Sequence, residues 1–390
     1  MKTVLSVLFS SRYLPDFLVL SLVGVLQTMF AADLLRGVGK KARAAVIVAW
    51  AVSAVVLAFG FLLRFARVAR HFPLWFSGWG RGLAMLWGFF SVMMIVVYVV
   101  SHVVPKAKPE DGVGRRRFLK AARAALFGVP AVAVGYGTFI QRFQLRLREQ
   151  RVEIPGLPEG LHGIRIAQLT DLHVSPFLSV KELARAVEMA NETKPHLTLV
   201  TGDLISTGND PLDDCLDALA KLKSDAGVYG CMGNHEIYAD SEAYTQVEGA
   251  KRGMRFLRQE REMVRFGSAG LNLAGVDYQL MHRRPYLRGA EKLVAPGAFN
   301  LLMSHNPDVF PVAAQKGFQL VVAGHTHGGQ VRVEILRQDL NVARFFTPYV
   351  DGMYREAGAS IFVSRGIGTI AIPTRLGAPP EVALLTLCRI

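Results

Sequence analysis

Two kinds of hydrophobic pattern divide the chain. Residues 14–32 are almost wholly apolar, with only Asp16 charged; residues 44–63 carry no charge over 20 positions, residues 83–104 none over 22, and residues 124–140 none over 17. A helix needs about 20 apolar residues, within a range of about 17–25, to cross a bilayer. Three runs meet that length and the fourth is at its lower limit. The pattern therefore predicts an all-α transmembrane region over residues 1–141, with three or four spanning helices. No small-residue cleavage site separates the first run from the second, which argues against a removable export signal.

From Gly163 onward, short apolar runs alternate with amphipathic stretches. Residues 164–169, 197–201, 228–232, 271–276, 299–303 and 318–323 read as strands, and residues 180–191, 211–222 and 241–252 as helices. Such alternation predicts an α/β domain with a mostly buried sheet over residues 159–390. Further strands at 330–335, 360–364 and 382–387 have no helices between them, so the sheet is extended or doubled. Residues 142–158 are charged and end in Pro155 and Pro158, and read as a juxtamembrane connector.

Charge follows the same division. The chain has a formal net charge of +14 and a mean hydropathy of +0.28. Residues 1–151 hold 21 Lys and Arg against 5 Asp and Glu, whereas residues 152–390 hold 24 against 26. A nucleic-acid binder puts its basic patch on the folded domain; here the positive charge flanks the apolar runs, so no nucleic-acid partner is expected. With four spans, the first and third connections share a side and hold 11 Lys and Arg, against 6 on the other side. The positive-inside rule then puts residues 106–123 in the cytoplasm and everything after Ile140 outside it. Arg115-Arg116-Arg117-Phe118-Leu119-Lys120, ahead of the fourth run, resembles a twin-arginine export signal and agrees with that orientation. The expectation is a bacterial inner-membrane protein, in contact with the lipid bilayer, with its C-terminal domain extracytoplasmic. Cys215, Cys231 and Cys388 form no CxxC pair and read as small buried residues.

Five polar clusters begin where predicted strands stop: Asp171-Leu172-His173, Gly202-Asp203, Gly233-Asn234-His235-Glu236, Ser304-His305-Asn306 and Gly324-His325-Thr326-His327. Strand C-terminal ends in an open α/β sheet share one edge, where ligands bind, so clusters far apart in sequence converge. Carboxylate, amide and imidazole groups without cysteine suit Mn, Fe or Zn. Two such ions about 3.5–4 Å apart clamp a phosphoryl group if one carboxylate bridges them. The glycines before Asp203, Asn234 and His325 are expected to let the chain turn sharply. If the DxH and HxH pairs are extended, period-two geometry points both side chains of each pair the same way.

These motifs, in this order over residues 160–390, closely resemble the calcineurin-like metallophosphoesterase family. The resemblance implies two stacked mixed β-sheets flanked by helices and a two-metal phosphate-ester hydrolase. It implies a first metal held by Asp171, His173, Asp203 and His327, and a second by Asp203, Asn234, His305 and His325, with Asp203 shared. It assigns Asn234 and His235 to substrate, His235 as proton donor to the leaving oxygen. The branch acting on phosphoproteins has an arginine shortly after the GD motif; here the residues are Leu204-Ile205-Ser206-Thr207, which steers away from it. The GHTHGGQ ending and the membrane region are more similar to the bacterial membrane-associated phosphodiesterase branch, some of whose members act on nucleotide-linked or lipid-linked sugar phosphates. The rival expectation is a membrane-anchored metal-binding sensor without turnover. The remaining histidines, His71, His102, His162, His196 and His282, lie in no motif, and the basic run 282–288 reads as a solvated loop or an anion contact.

Overall fold

The computed structural model describes residues 14–103, 112–280, 285–335 and 338–390. Cα packing separates them into two units, the first ending at Phe139 and including Ala371–Pro373, the second made of Ile140–Ile370 and Thr374–Ile390.

The first unit is built from four long helices, α1 (Leu14–Gly37), α2 (Lys40–Leu62), α3 (Leu74–Ser101) and α4 (Val113–Phe139). All four are long and apolar enough to cross a membrane. The fourth run is thus part of a continuous 27-residue helix whose first turns carry Arg115, Arg116 and Arg117. Small residues let the backbones approach: a Cβ on Gly60 of α2 would overlap the Ala84 side chain of α3. A buried polar link joins three helices, with Ser53 Oγ donating to Gln27 Oε1 at 2.8 Å and Trp87 Nε1 donating to Ser53 Oγ at 2.6 Å. Apolar helices need such links because an unpaired polar group in hydrocarbon is costly.

The second unit contains two six-stranded mixed sheets. The first runs β1 (Arg146–Ile154), β14 (Glu381–Arg389), β2 (Arg165–Leu169), β3 (Leu197–Thr201), β4 (Val228–Cys231), β5 (Met254–Phe256). The second runs β12 (Gly352–Glu356), β13 (Ala359–Val363), β9 (Leu320–Ala323), β8 (Phe299–Met303), β7 (Ala269–Gly275), β6 (Glu260–Phe266). A hairpin, β10 (Arg332–Ile335) and β11 (Gln338–Asn341), lies outside both. The sheets share a core that includes Ile166, Leu199, Leu301, Val322 and Leu385. Helices α5 (Val180–Glu192) and α6 (Leu212–Leu219) supply Leu183, Val187 and Leu216 to the apolar layer on the outer face of the first sheet. A short helix α7 (Asn234–Tyr238) and α8 (Glu242–Lys251) follow β4, and α9 (Phe310–Lys316) buries Phe310 against the second sheet. Both faces of the central strands are covered, which is why β3 and β8 read as continuous apolar runs.

Two differences from the sequence reading have physical causes. Residues 146–154 are not a connector: they form β1, paired parallel with β14 from Arg146↔Glu381 to Ile154↔Arg389. β1 is an edge strand whose exposed face is charged, so its composition imitates a linker. Strands β5, β6 and β12 were also hidden, each short or lying at a sheet edge with exposed charge. The three cysteines are buried and unpaired, as expected. His162 and His196 tie strands, their Nδ1 atoms accepting from the Arg389 and Arg165 amides. Residues 282–284 lie outside the described residues.

Candidate metal centre

Strands β2, β3, β4, β8 and β9 end at one edge, and each passes into one polar cluster. The sheets are stitched together there. Gln168 of β2 donates to Thr201 Oγ1 at 2.8 Å and to the Ala323 carbonyl of β9 at 2.9 Å. His305, after β8, has its Nδ1 2.7 Å from the Thr201 carbonyl of β3. An Nδ1–H donating to that carbonyl makes Nε2 the nitrogen that faces the cluster, with a lone pair once the ring is neutral.

Backbone strain marks the same loops. Asp171, His173, Asp203, His325 and His327 all have φ between 49° and 76°. Non-glycine residues adopt that region at a cost that surrounding structure must outweigh, and such residues gather at functional sites. The DxH and HxH pairs are therefore not extended; left-handed turns aim their side chains. The glycine expectation is also refined. Gly202 turns with φ +86°, but Gly233 is extended at φ −94°. Gly233 and Gly324 serve close approach, since a Cβ on either would overlap the Asp203 or Asp171 carboxylate.

Asp171, His173, Asp203, His235, His305, His325 and His327 come together at this edge. Asp171, His173 and His327 form one cluster of potential ligand atoms, and Asp203, His305 and His325 another, while Asp203 also joins His173 and His235. His173 Nε2 lies 3.1 Å from His327 Nε2, and His327 Nε2 lies 3.3 Å from Asp171 Oδ1. Asp203 Oδ2 stands between the clusters, 3.5 Å from His173 Nε2 and 3.1 Å from His305 Nε2. Asn234, the chain neighbour of His235, is buried. His235 is half-buried at the rim; its amide donates to Asp203 Oδ1 at 2.9 Å and its Nδ1 lies 2.6 Å from the Ser206 carbonyl.

Two buried atoms test whether this set fits metal ions. His305 Nε2 and Asn234 Oδ1 are inaccessible and have no hydrogen-bond partner. The His305 atom is close to Asp203 yet not aligned for a hydrogen bond. Orphaned buried polar atoms are rare and costly, and both belong to the set that the sequence motif singles out. Nitrogen and oxygen donors at a water-poor site fit Mn, Fe or Zn.

Electrostatics agree. Burial lowers the His173 and His325 pKa values to about 3, which keeps both imidazoles neutral, as ligands must be. Burial opposes charge on His305, but Asp203 and Asp171 outweigh it and hold the pKa at about 10. Burial raises the Asp171 carboxyl to about 6.

Several supporting residues escaped sequence reading. Glu236 is fully buried, and its carboxylate accepts from the amides of Asp203 at 2.9 Å, Leu204 at 2.8 Å and Gly233 at 2.8 Å. It binds the GD loop to the GNHE loop; the signal was its place in the motif. Glu236→Ala leaves three buried amides without acceptors, at about 1–3 kcal/mol each. A large fall in the thermal unfolding midpoint is expected, while Glu236→Gln, which keeps a carbonyl oxygen, should retain part of the stability. Arg375 is also fully buried, with Nε donating to the Gly368 carbonyl at 2.9 Å and one guanidinium nitrogen donating to Ala378 O at 3.0 Å. It braces the loop whose Gly368 amide donates to Asp171 O at 2.7 Å. Tyr278 packs on His325 with ring centroids 5.2 Å apart. Neither lies in a legible motif.

A family model described as calcineurin-like phosphoesterase matches residues 164–329. An uncharacterized metallophosphoesterase of Helicobacter pylori (strain J99) is 30% identical over 307 residues, covering 76% of this chain and 78% of that protein. The phosphodiesterase YaeI of Escherichia coli (strain K12) is 26% identical over 287 residues, covering 70% of this chain and 99% of that one. A transmembrane protein with metallophosphoesterase domain from Bos taurus is 29% identical over 260 residues, covering 60% of this chain and 56% of the bovine protein.

Proposed function

The chain belongs to the calcineurin-like metallophosphoesterase family, and on that premise we propose that it is a membrane-anchored, dinuclear metal-dependent hydrolase of phosphodiester or phosphomonoester bonds. The carrying observation is the cluster of imidazoles and carboxylates around Asp203, in which His305 Nε2 is buried without a hydrogen-bond partner, with Asn234 Oδ1 orphaned likewise. The E. coli relative's name, phosphodiesterase, supports the diester reading.

Asp171, His173, Asp203 and His327 would hold one ion, and Asp203, Asn234, His305 and His325 the other. When bound, such ions supply positive charge against phosphoryl oxygens and acidify water. His235 is the proton donor. Its Nδ1, held 2.6 Å from the Ser206 carbonyl, leaves Nε2 as the nitrogen that would hand a proton to the leaving oxygen. Glu236 holds the two loops that carry Asp203 and His235. Tyr238, largely exposed with its ring 5.6 Å from that of His235, borders the approach of substrate. The catalytic unit is assigned to the extracytoplasmic side by the distribution of Lys and Arg, which reporter fusions after residue 110 and at the C-terminus would test.

The deciding experiment strips the purified full-length protein with chelator, restores Mn and follows bis-p-nitrophenyl phosphate. Turnover that returns with two ions per chain is expected. Two bound ions with no turnover on mono- or diesters would favour the sensor instead.

Metal uptake should also release protons. Near pH 7 the His305 pKa of about 10 means that its imidazole holds a proton that a ligand cannot keep. Below about pH 6 the Asp171 carboxyl is protonated as well. Acidification therefore weakens metal binding, by about tenfold per pH unit for each proton displaced. Calorimetry in two buffers of different ionisation enthalpy counts those protons; a count of zero at pH 7 would contradict the assignment of His305.

A further inference from the structure

The chain reaches the second unit at the edge that carries the metal centre. The fourth helix ends at Phe139, and β1 begins at Arg146. Seven residue steps at about 3.5 Å each keep the start of β1 within about 25 Å of the end of that helix. Arg146 is the site-edge end of β1: it pairs with Glu381 at the start of β14, and β14 runs antiparallel to β2, whose far end leads to Asp171. Two strand spacings, about 10 Å, separate β1 from β2. The opposite edge is a strand's length further away, about 30 Å along the nine residues of β1.

That same edge carries an uncovered apolar tip. Gln141 Oε1 accepts from the Gly377 amide at 2.7 Å, the neighbouring Leu376 carbonyl accepts from Arg332 at 2.8 Å, and Arg332 is paired with Asn341. Asn341 Nδ2 in turn donates at 3.1 Å to Gly328 O, next to His327. Directly after Asn341 comes Val342-Ala343-Arg344-Phe345-Phe346. Phe345 is 87% exposed, more than any other large apolar side chain among the described residues, and Val342 and Phe346 are exposed with it. Leu280, two residues after Tyr278, is exposed too. Aromatic side chains beside an arginine suit the headgroup layer of a membrane. A contiguous exposed apolar patch on a folded unit marks an interaction site, and the short tether supplies the bilayer as its occupant.

We propose that the metal-site edge docks on the membrane surface through Val342, Phe345 and Phe346, and that the centre takes phosphoesters carried as headgroups of bilayer lipids. This substrate class rests on the phosphoesterase reading above.

The test uses the full chain in phosphatidylcholine nanodiscs. A fluorophore on Phe345→Cys, with the native cysteines buried, should be quenched several-fold by nitroxide-labelled lipid, and one on Ser268→Cys, in the turn between β6 and β7 at the opposite edge, should not. Phosphatidic acid in the disc should inhibit bis-p-nitrophenyl phosphate turnover at a bulk concentration about 10²-fold below that of glycerol 3-phosphate, because confinement raises its effective concentration. In Phe345→Ser/Phe346→Ser that advantage should shrink while turnover of the soluble diester is unchanged. Equal quenching at positions 345 and 268 would overturn the docking. Inhibition by glycerol 3-phosphate without inhibition by phosphatidic acid would overturn the lipid substrate class. Absence of turnover in the wild type strikes the phosphoesterase reading and the substrate class with it, and the quenching arm still decides the docking.

Discussion

His235→Ala is expected to lower kcat by about 10²–10⁴-fold, the usual contribution of a positioned general acid, with both metal ions retained. The two halves of that expectation have separate structural causes. What His235 gives Asp203 is a backbone amide bond of 2.9 Å, which alanine preserves. What it gives the reaction is the imidazole, held by the Ser206 carbonyl and set edge-to-face against His173 with ring centroids 4.7 Å apart. The loss should depend on the leaving group. Nitrophenolate departs readily without a proton, so bis-p-nitrophenyl phosphate should show the low end of the range and an alkyl diester the high end. Metal content by elemental analysis and kcat on the two substrates check the claim. A loss that is the same for both leaving groups would remove His235 from proton transfer.

Asp203→Asn should be more damaging, because it touches both clusters. Asp203 stands between them, with Oδ2 3.1 Å from His305 Nε2 and 3.5 Å from His173 Nε2. Its charge also matters to its surroundings: His305, His235 and His173 together hold its own pKa well below the usual carboxylate range despite burial. Asparagine keeps the shape and the Glu236 contact to the backbone amide, so folding should survive, while the shared negative charge is gone. Metal stoichiometry should fall below two per chain. Activity should drop by about 10³-fold or more, as several kcal/mol of charge stabilisation implies. Asp171→Asn is the comparison, since Asp171 Oδ1 lies 3.3 Å from His327 Nε2 but 3.8 Å from His305 Nε2, further than Asp203. It should cost one ion and leave the other; equal losses in the two variants would end the bridging assignment of Asp203.

The two variants also separate what motif reading can and cannot reach. Ligand types and their order along the chain were legible because each cluster follows an apolar strand, and strand ends share an edge. How each side chain is aimed was not. Extended geometry was expected for the DxH and HxH pairs, and left-handed backbone at Asp171, His173, His325 and His327 does the aiming instead. That conformation is stabilised by contacts from distant loops, such as the Gly368 and Ile367 amides donating to Asp171 O and Thr170 O at 2.7 and 3.1 Å. No local propensity encodes it.

Glu236 and Arg375 make the same point from the other direction. A buried carboxylate serving three amides and a buried guanidinium serving backbone carbonyls are ordinary charged residues in the sequence. Their roles exist only once the loops they join have been brought together.

By itself the sequence determined the apolar helices, the α/β alternation and the identity of the candidate ligands, because hydrophobic periodicity and strand-end motifs are local and repeat with known spacing. Tertiary structure decided three further things. It made the charged segment 146–154 an edge strand, since pairing with β14 is a long-range contact that charge on the solvent face does not forbid. It left His305 Nε2 and Asn234 Oδ1 buried without partners, which depends on packing from every side. And it set the start of β1 and the exposed Phe345 on the same edge as the metal centre, a consequence of strand direction and sheet order that no window of residues contains.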